Sequence, residues 1–298
     1  GALLLVACGG VPPSREPPRL AVEPRLEAAA TGADLAASLA ALPLEEREHA
    51  IWVEAEAGNI PDFLRALVPV QLRAEVEGVE RTATFWCTPD YLGFGRAGDW
   101  LRAPMTPALA ERIADRFGAV LPTRRMVDAI WEASEVRLEP VPYSPTEHDI
   151  TAFPLFHRHH LAIEEQRRGA PPGALVAGVK KDVVVSPLLV DAPGRVCIYG
   201  WHRPDGAPIQ PLYRGHVADY VDYSHGVRLV AGVMTVDGER VPVASVLADP
   251  ALHVLLSDEG PVSAARYSAP SRSTQRAEGC DDPPPDGAVD AHSDGHAR

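Results

Sequence analysis

The chain has 298 residues, 46% of them hydrophobic, and a formal charge of −13. That length suffices for a sizeable core in one large domain or two modest ones. So acidic a surface repels phosphate backbones, which argues against nucleic acid as a partner.

The first residues carry the clearest address. Gly1 to Ala7 is apolar and ends in Leu5-Val6-Ala7-Cys8, the pattern of a bacterial lipobox in which the cysteine is acylated. Residues 1–8 therefore read as the end of a lipoprotein signal whose upstream part is missing, with Cys8 as the lipidation site. Seven apolar residues are too few to span a bilayer, so membrane attachment would be by lipid. The expected location is the bacterial cell envelope, lipid-anchored or secreted. With Cys8 acylated, Cys87, Cys197 and Cys280 remain, an odd number, and no CxxC spacing offers a cysteine zinc site.

Residues 9–25 are rich in proline and charge and read as a tether reaching roughly 20–25 Å. Residues 26–44 are rich in Ala and Leu and favour helix. Two β-type runs over 68–76 and 82–87 flank a turn around Gly78, a hairpin pattern. Thr106-Pro107 opens a helix, with Leu109, Ile113 and Phe117 on its inner face and Gly118 as its stop. Pro122-Thr123 opens another, and a third is expected over 155–168. Asp205-Gly206 and Asp237-Gly238 are hairpin turns, and residues 250–257 read as a last short helix. From Pro261 the chain is polar, Pro- and Asp-rich, and reads as a disordered acidic tail. The expected fold is α+β, with helices of the N-terminal half packed on a mainly antiparallel C-terminal sheet. One globular domain over 26–260 is expected, with its core block at 85–260.

Chemically capable side chains concentrate between 175 and 230. Read as a strand, residues 219–230 would place Asp222, Ser224 and Arg228 on one face and Tyr223, His225 and Val227 on the other. Ser224 and His225 then cannot serve as nucleophile and base to each other, and no GxSxG elbow is present. His225 is the candidate base or ligand, with His202 and His216 as partners from neighbouring segments. Asp222 or Asp182 is the candidate orienting acid, and Lys181 or Arg228 the candidate anion contact. The three histidines and one carboxylate could also compose a divalent-metal site, so the cofactor stays unknown. Cys197 as nucleophile with His225 as its base is a weaker arrangement, because a strand cysteine usually serves as a small hydrophobe. His157, His160 and Glu164 share a helix face and read as a solvent-facing stripe. Tyr199, Trp201, Tyr213, Tyr220 and Tyr223 could give a sugar its stacking platform.

Several strings resemble a family of exported bacterial proteins for which no activity is settled. They are Pro89-Asp90-Tyr91-Leu92, Leu121-Pro122-Thr123-Arg124-Arg125-Met126, Lys180-Lys181-Asp182-Val183-Val184, Ile198-Tyr199-Gly200-Trp201-His202, Pro208-Ile209-Gln210-Pro211-Leu212 and the run from Asp222 to Val230. The resemblance covers residues 85–260 and implies export without implying a reaction. Relatives often carry a polar residue where this chain has Val179, and alanine where it has Cys197.

The expected function is a hydrolase acting on cell-wall peptide or glycan. The alternative is a non-catalytic envelope lipoprotein that binds glycan or protein. The first requires His202, His216 and His225 to meet within about 5 Å in an open cleft. The second requires dispersed histidines and an exposed aromatic strip, and a third reading, a purely structural surface lipoprotein, requires neither.

Overall fold

A computed structural model describes residues 17–263 and residue 267. Cys8, Cys280 and most of the expected tail lie outside them. Thr31 starts helix α1 (Gly32–Leu39) with a capping box: its hydroxyl accepts from Asp34 N, and Asp34 accepts from Thr31 N. Helix α2 (Leu44–Glu56) turns Arg47, Ile51, Trp52 and Ala55 inward, and the single turn α3 (Asp62–Arg65) follows. Strands β1 (Val68–Val76) and β2 (Val79–Cys87) then pair along their whole length. Their two-residue turn has Glu77 at φ 51° and Gly78 at φ 80°, the left-handed pair that a tight hairpin needs.

A second hairpin, β3 (Gly93–Arg96) with β4 (Asp99–Arg102), leads to helix α4 (Pro107–Arg116). Thr106 caps α4 by accepting from Leu109 N, as expected, and Gly118 at φ 66° ends it. Strand β5 (Ala119–Val120) precedes helix α5 (Arg124–Ala133), which Thr123 caps by accepting from Met126 N. Next come β6 (Val136–Arg137), α6 (Phe153–Arg167) and β7 (Val176–Ala177), with β6 and β7 parallel. The remaining strands are β8 (Lys181–Val183), β9 (Ile198–His202), β10 (Pro208–Tyr213), β11 (His225–Gly226), β12 (Val230–Ala231), β13 (Val233–Val236) and β14 (Glu239–Pro242). Helix α7 (Val243–Ala248) and a 3-10 turn at Leu252–Leu255 close the fold, where one short helix over 250–257 was expected.

The architecture is α+β. One sheet has the order β14-β13-β2-β12-β5 with β1 on β2; the other has the order β10-β9-β8-β11. Every pairing in them is antiparallel except β8 with β11. The larger sheet is built around the early β1–β2 hairpin, so it is not confined to the C-terminal half. Helix α5 lies against both β1 and β9 and so joins the two sheets. Buried side chains such as Phe85, Ile113, Ile130 and Phe156 fill the core. Each contributes about 1.5–3 kcal/mol by leaving water.

Two segments depart from expectation. Residues 17–25 do not stand off as a tether: Leu20 is buried, its N–H donates to Arg65 O, and Ala21 N–H donates to Phe117 O. Leu20 and the Arg25 guanidinium, which reaches Asn59 and Ala29, give this stretch partners that its composition conceals. At the other end, Val262 N–H donates to Leu247 O, and the Tyr267 hydroxyl bonds Val184 O and Cys197 N. Among the described residues no helix is long and apolar enough to cross a membrane.

Candidate functional site

The smaller sheet positions the candidate site. Strand β11 pairs in parallel with β8, setting His225 opposite Lys181 and Gly226 opposite Asp182. The segment before β11 is a turn and not the strand that alternation required. Asp222 Oδ1 accepts from Ser224 N at 2.7 Å and Ser224 Oγ at 2.5 Å, while His225 N–H donates back to Asp222 O. An aspartate that bonds the backbone two residues on folds the chain over itself. The turn therefore brings together what a strand would separate: His225 Nε2 lies 3.9 Å from Asp222 Oδ2. Tyr220 Oη donates to the same Oδ2 at 3.2 Å. The His216 ring stacks on Tyr220 at 4.1 Å and lies 6.3 Å from the His225 ring.

His225 has no exposed surface, and among the described residues neither ring nitrogen has a hydrogen-bond partner. Burial drives its pKa down to about 4 against the opposing pull of Asp222, so the ring is neutral at pH 7. Burial pushes the Asp222 carboxyl up, but His225, Lys181 and the Ser224 hydrogen bonds outweigh it and hold it at about 2. A neutral imidazole thus sits beside a carboxylate, with His216 and Lys181 within electrostatic reach.

A second polar group adjoins the first. Lys180 is fully buried, donates to Tyr223 O and lies 3.1 Å from His159 Nδ1. Burial, reinforced by Arg102, brings the ammonium down to about 7, although Asp222 and Asp90 resist. His159 is pushed far below its ordinary value by burial and then by Lys180. Its ring packs edge-on against Tyr223, Tyr143 and Trp201, with centroids 4.9–6.1 Å away. His159 Nε2 and Trp201 Nε1 are buried and have no hydrogen-bond partner among the described residues. Lys181 Nζ lies 5.5 Å from the centre of the Trp201 ring.

The other candidates fall elsewhere. His202 does not join His216 and His225: its Nε2 is 2.9 Å from Asp128 Oδ1, which also accepts from Tyr199 Oη at 2.8 Å. Trp201, at φ 55°, breaks the alternation of β9 just before His202. Asp182 accepts from Tyr91 Oη at 2.7 Å, and burial raises its carboxyl to about 6 despite Arg228. Arg228 is not a free anion contact. Its guanidinium is buried, donates to Thr88 O and Val176 O, and lies over the Tyr91 ring. Tyr199, Trp201 and Tyr223 are also buried and form no exposed stacking strip. Burial pushes the Cys197 thiol up to about 12, which leaves no thiolate to act as nucleophile.

The expected solvent stripe on α6 is turned inward at His160 and Glu164. His160 Nδ1 accepts from Arg102 N–H, and Arg102 also pairs with Asp90 and with Glu164 at 2.7 Å. Among the described residues, no group of three His, Cys, Asp or Glu is placed to hold a metal ion.

Lys180 and His159 are the site residues that sequence reasoning missed as participants, while Tyr220, expected in a stacking platform, meets Asp222 and His216. A signal existed for Lys180. Period-two alternation puts it on the same inner face as Asp182. His159 had no such signal, because its partner Lys180 is 21 residues away in sequence. No protein-family model matches the chain, and no curated protein or solved structure matches it.

Proposed function

We propose that the protein is a lipid-anchored hydrolase of the bacterial cell envelope, acting on cell-wall peptide or glycan through His225. The observation that carries this reading is a fully buried imidazole, 3.9 Å from the Asp222 carboxylate, with neither nitrogen partnered among the described residues. Stability alone does not favour such a group, since buried polar atoms ordinarily have partners. In this reading neutral His225 removes a proton from water, the hydroxide adds to the scissile centre, and the proton passes to the leaving group. Asp222 stabilises the transient imidazolium, and Lys181 stabilises negative charge developing on the substrate. Tyr220 and His216 lie against His225, with ring centres 5.7 and 6.3 Å away, and in this reading substrate reaches it when those two rings move. Release of soluble fragments from purified peptidoglycan tests this: His225→Ala should slow it by about 10²–10⁴-fold. Equal rates from the two proteins would remove His225 from the mechanism.

One observation favours the alternative, a non-catalytic envelope lipoprotein that binds glycan or protein. His202 stands apart with Asp128 and His225 is fully buried, so the open three-histidine cleft is not formed and the hydrolase reading rests on His225, Asp222 and Lys181 alone. Nor do Tyr199, Trp201 and Tyr223 form the exposed strip that a binding protein was expected to carry. Under the alternative, peptidoglycan binds the wild type and releases no fragments.

A further inference from the structure

A groove of about 500 Å3 opens beside the His225 cluster, bordered by the α1–α2 connection, the start of α6 and residues 219–221. Arg47 lines it. Arg47 is 6% exposed, its guanidinium lies over the Phe153 and Phe156 rings at 5.7 and 5.1 Å, and its Nε has no hydrogen-bond partner among the described residues. Glu48, the acid that most affects Arg47, is itself engaged by Thr106 N–H and Oγ. A cation withdrawn from water is costly unless an anion meets it. The fifteen-residue helix α6 begins at the same groove; Pro154 in its first turn has no N–H, Leu155 N–H donates to Ala152 O, and Asp149 already draws on the Ala152 N–H. Arg47 is therefore the principal partner the groove offers an anion, and what remains of the positive end of α6 acts in the same direction.

The groove also has acidic groups. Asp149 is occupied by Thr151, whose N–H and Oγ both donate to its Oδ1. Asp219 is exposed at the rim. Charges of both signs in one groove complement a molecule that carries both. A neutral glycan carries neither. Tyr220 joins this groove to the site, since it lines the groove while its ring stacks on His216 and approaches His225 at 5.7 Å.

We propose that the groove binds the carboxylate end of a zwitterionic peptide, with Arg47 and the start of α6 on the carboxylate and Asp219 facing the ammonium. The inference rests on the hydrolase reading only for what then happens to the peptide, and it selects peptide over glycan as substrate class.

The test is calorimetric titration of the full chain with D-alanyl-D-alanine, its C-terminal amide and its N-acetyl derivative. The dipeptide should bind; the amide should bind at least about tenfold more weakly, and the N-acetyl form more weakly by a smaller factor. Arg47→Met should weaken the dipeptide by about tenfold and abolish its advantage over the amide. Arg47 is buried, and the amide comparison on the unaltered protein stands even if that variant fails to fold. No binding of the dipeptide, or equal affinity for dipeptide and amide, overturns the proposal. Carboxylate-dependent binding with fragment release unaffected by His225→Ala keeps the groove and discards the catalytic role. Release that depends on His225, with no preference for the carboxylate, does the reverse.

Discussion

Two buried ionic clusters lie within this fold, and they are built differently. In the first, Asp90 Oδ1 accepts from Tyr91 N–H and Arg102 Nε, and Oδ2 accepts from Arg102 Nη2 at 2.6 Å. Burial pushes the Asp90 carboxyl up, yet Arg102 outweighs it and the pKa ends below the ordinary range. In the second, Asp222 is well bonded by Ser224 and Tyr220, but His225 beside it has no hydrogen bond from either nitrogen. The first cluster pairs Arg102 with both Asp90 and Glu164 and holds β4 to α6. The second leaves a titratable ring buried and unsatisfied, and that surplus of chemistry over structural need is why the site is sought there.

The contrast is easiest to break at Arg102. Arg102→Met would leave Asp90 buried without its bidentate partner and should cost about 3–5 kcal/mol, read from urea unfolding. A loss of less than about 1 kcal/mol would show that this cluster is not the structural one.

Titration sharpens the comparison next. The folded pKa of His225, about 4, lies below its ordinary 6.5, so the unfolded chain binds the proton first as pH falls. His225 therefore contributes stability above pH 6.5 that is lost as pH falls towards 4. His159 acts in the same direction, whereas Asp182, raised from 3.8 to about 6, opposes them between those values. Lys180, lowered from 10.5 to about 7, makes the protein more stable as pH rises from 7 towards 10. Lys180→Met should flatten that upper rise, measured as unfolding free energy at pH 7 and pH 9.5. An unchanged slope would mean that Lys180 is not the group responsible.

The smallest effect is expected at Tyr220. Tyr220→Phe keeps the stack on His216 and removes one hydrogen bond to Asp222, for a loss of about 0.5–1.5 kcal/mol in a denaturant melt. A larger loss would make Tyr220 a structural strut and weaken the case that it moves to admit substrate.

Much of the fold was legible because its signals are local. Thr106 and Thr123 cap their helices, and Gly78, Gly206 and Gly238 turn their hairpins at φ 80°, 90° and 89°. Those residues act within three or four positions of themselves, so no distant contact is needed to read them. The site was legible only in part. His216, Asp222 and His225 were named, and their closeness along the chain helps explain why they meet. Their geometry was not legible, since a two-residue aspartate turn replaced the alternation of a strand.

The sequence by itself determined the α+β class, the capped starts of α4 and α5, the hairpin turns and the stretch in which the chemistry concentrates, because propensity, capping and turn preference belong to neighbouring residues. Only the tertiary structure decided that Lys180 meets His159, that Arg228 and Asp182 are buried together, and that His202 turns to Asp128. Those outcomes depend on which surfaces are withdrawn from water when helices close over sheets, and burial is a property of the whole packed chain.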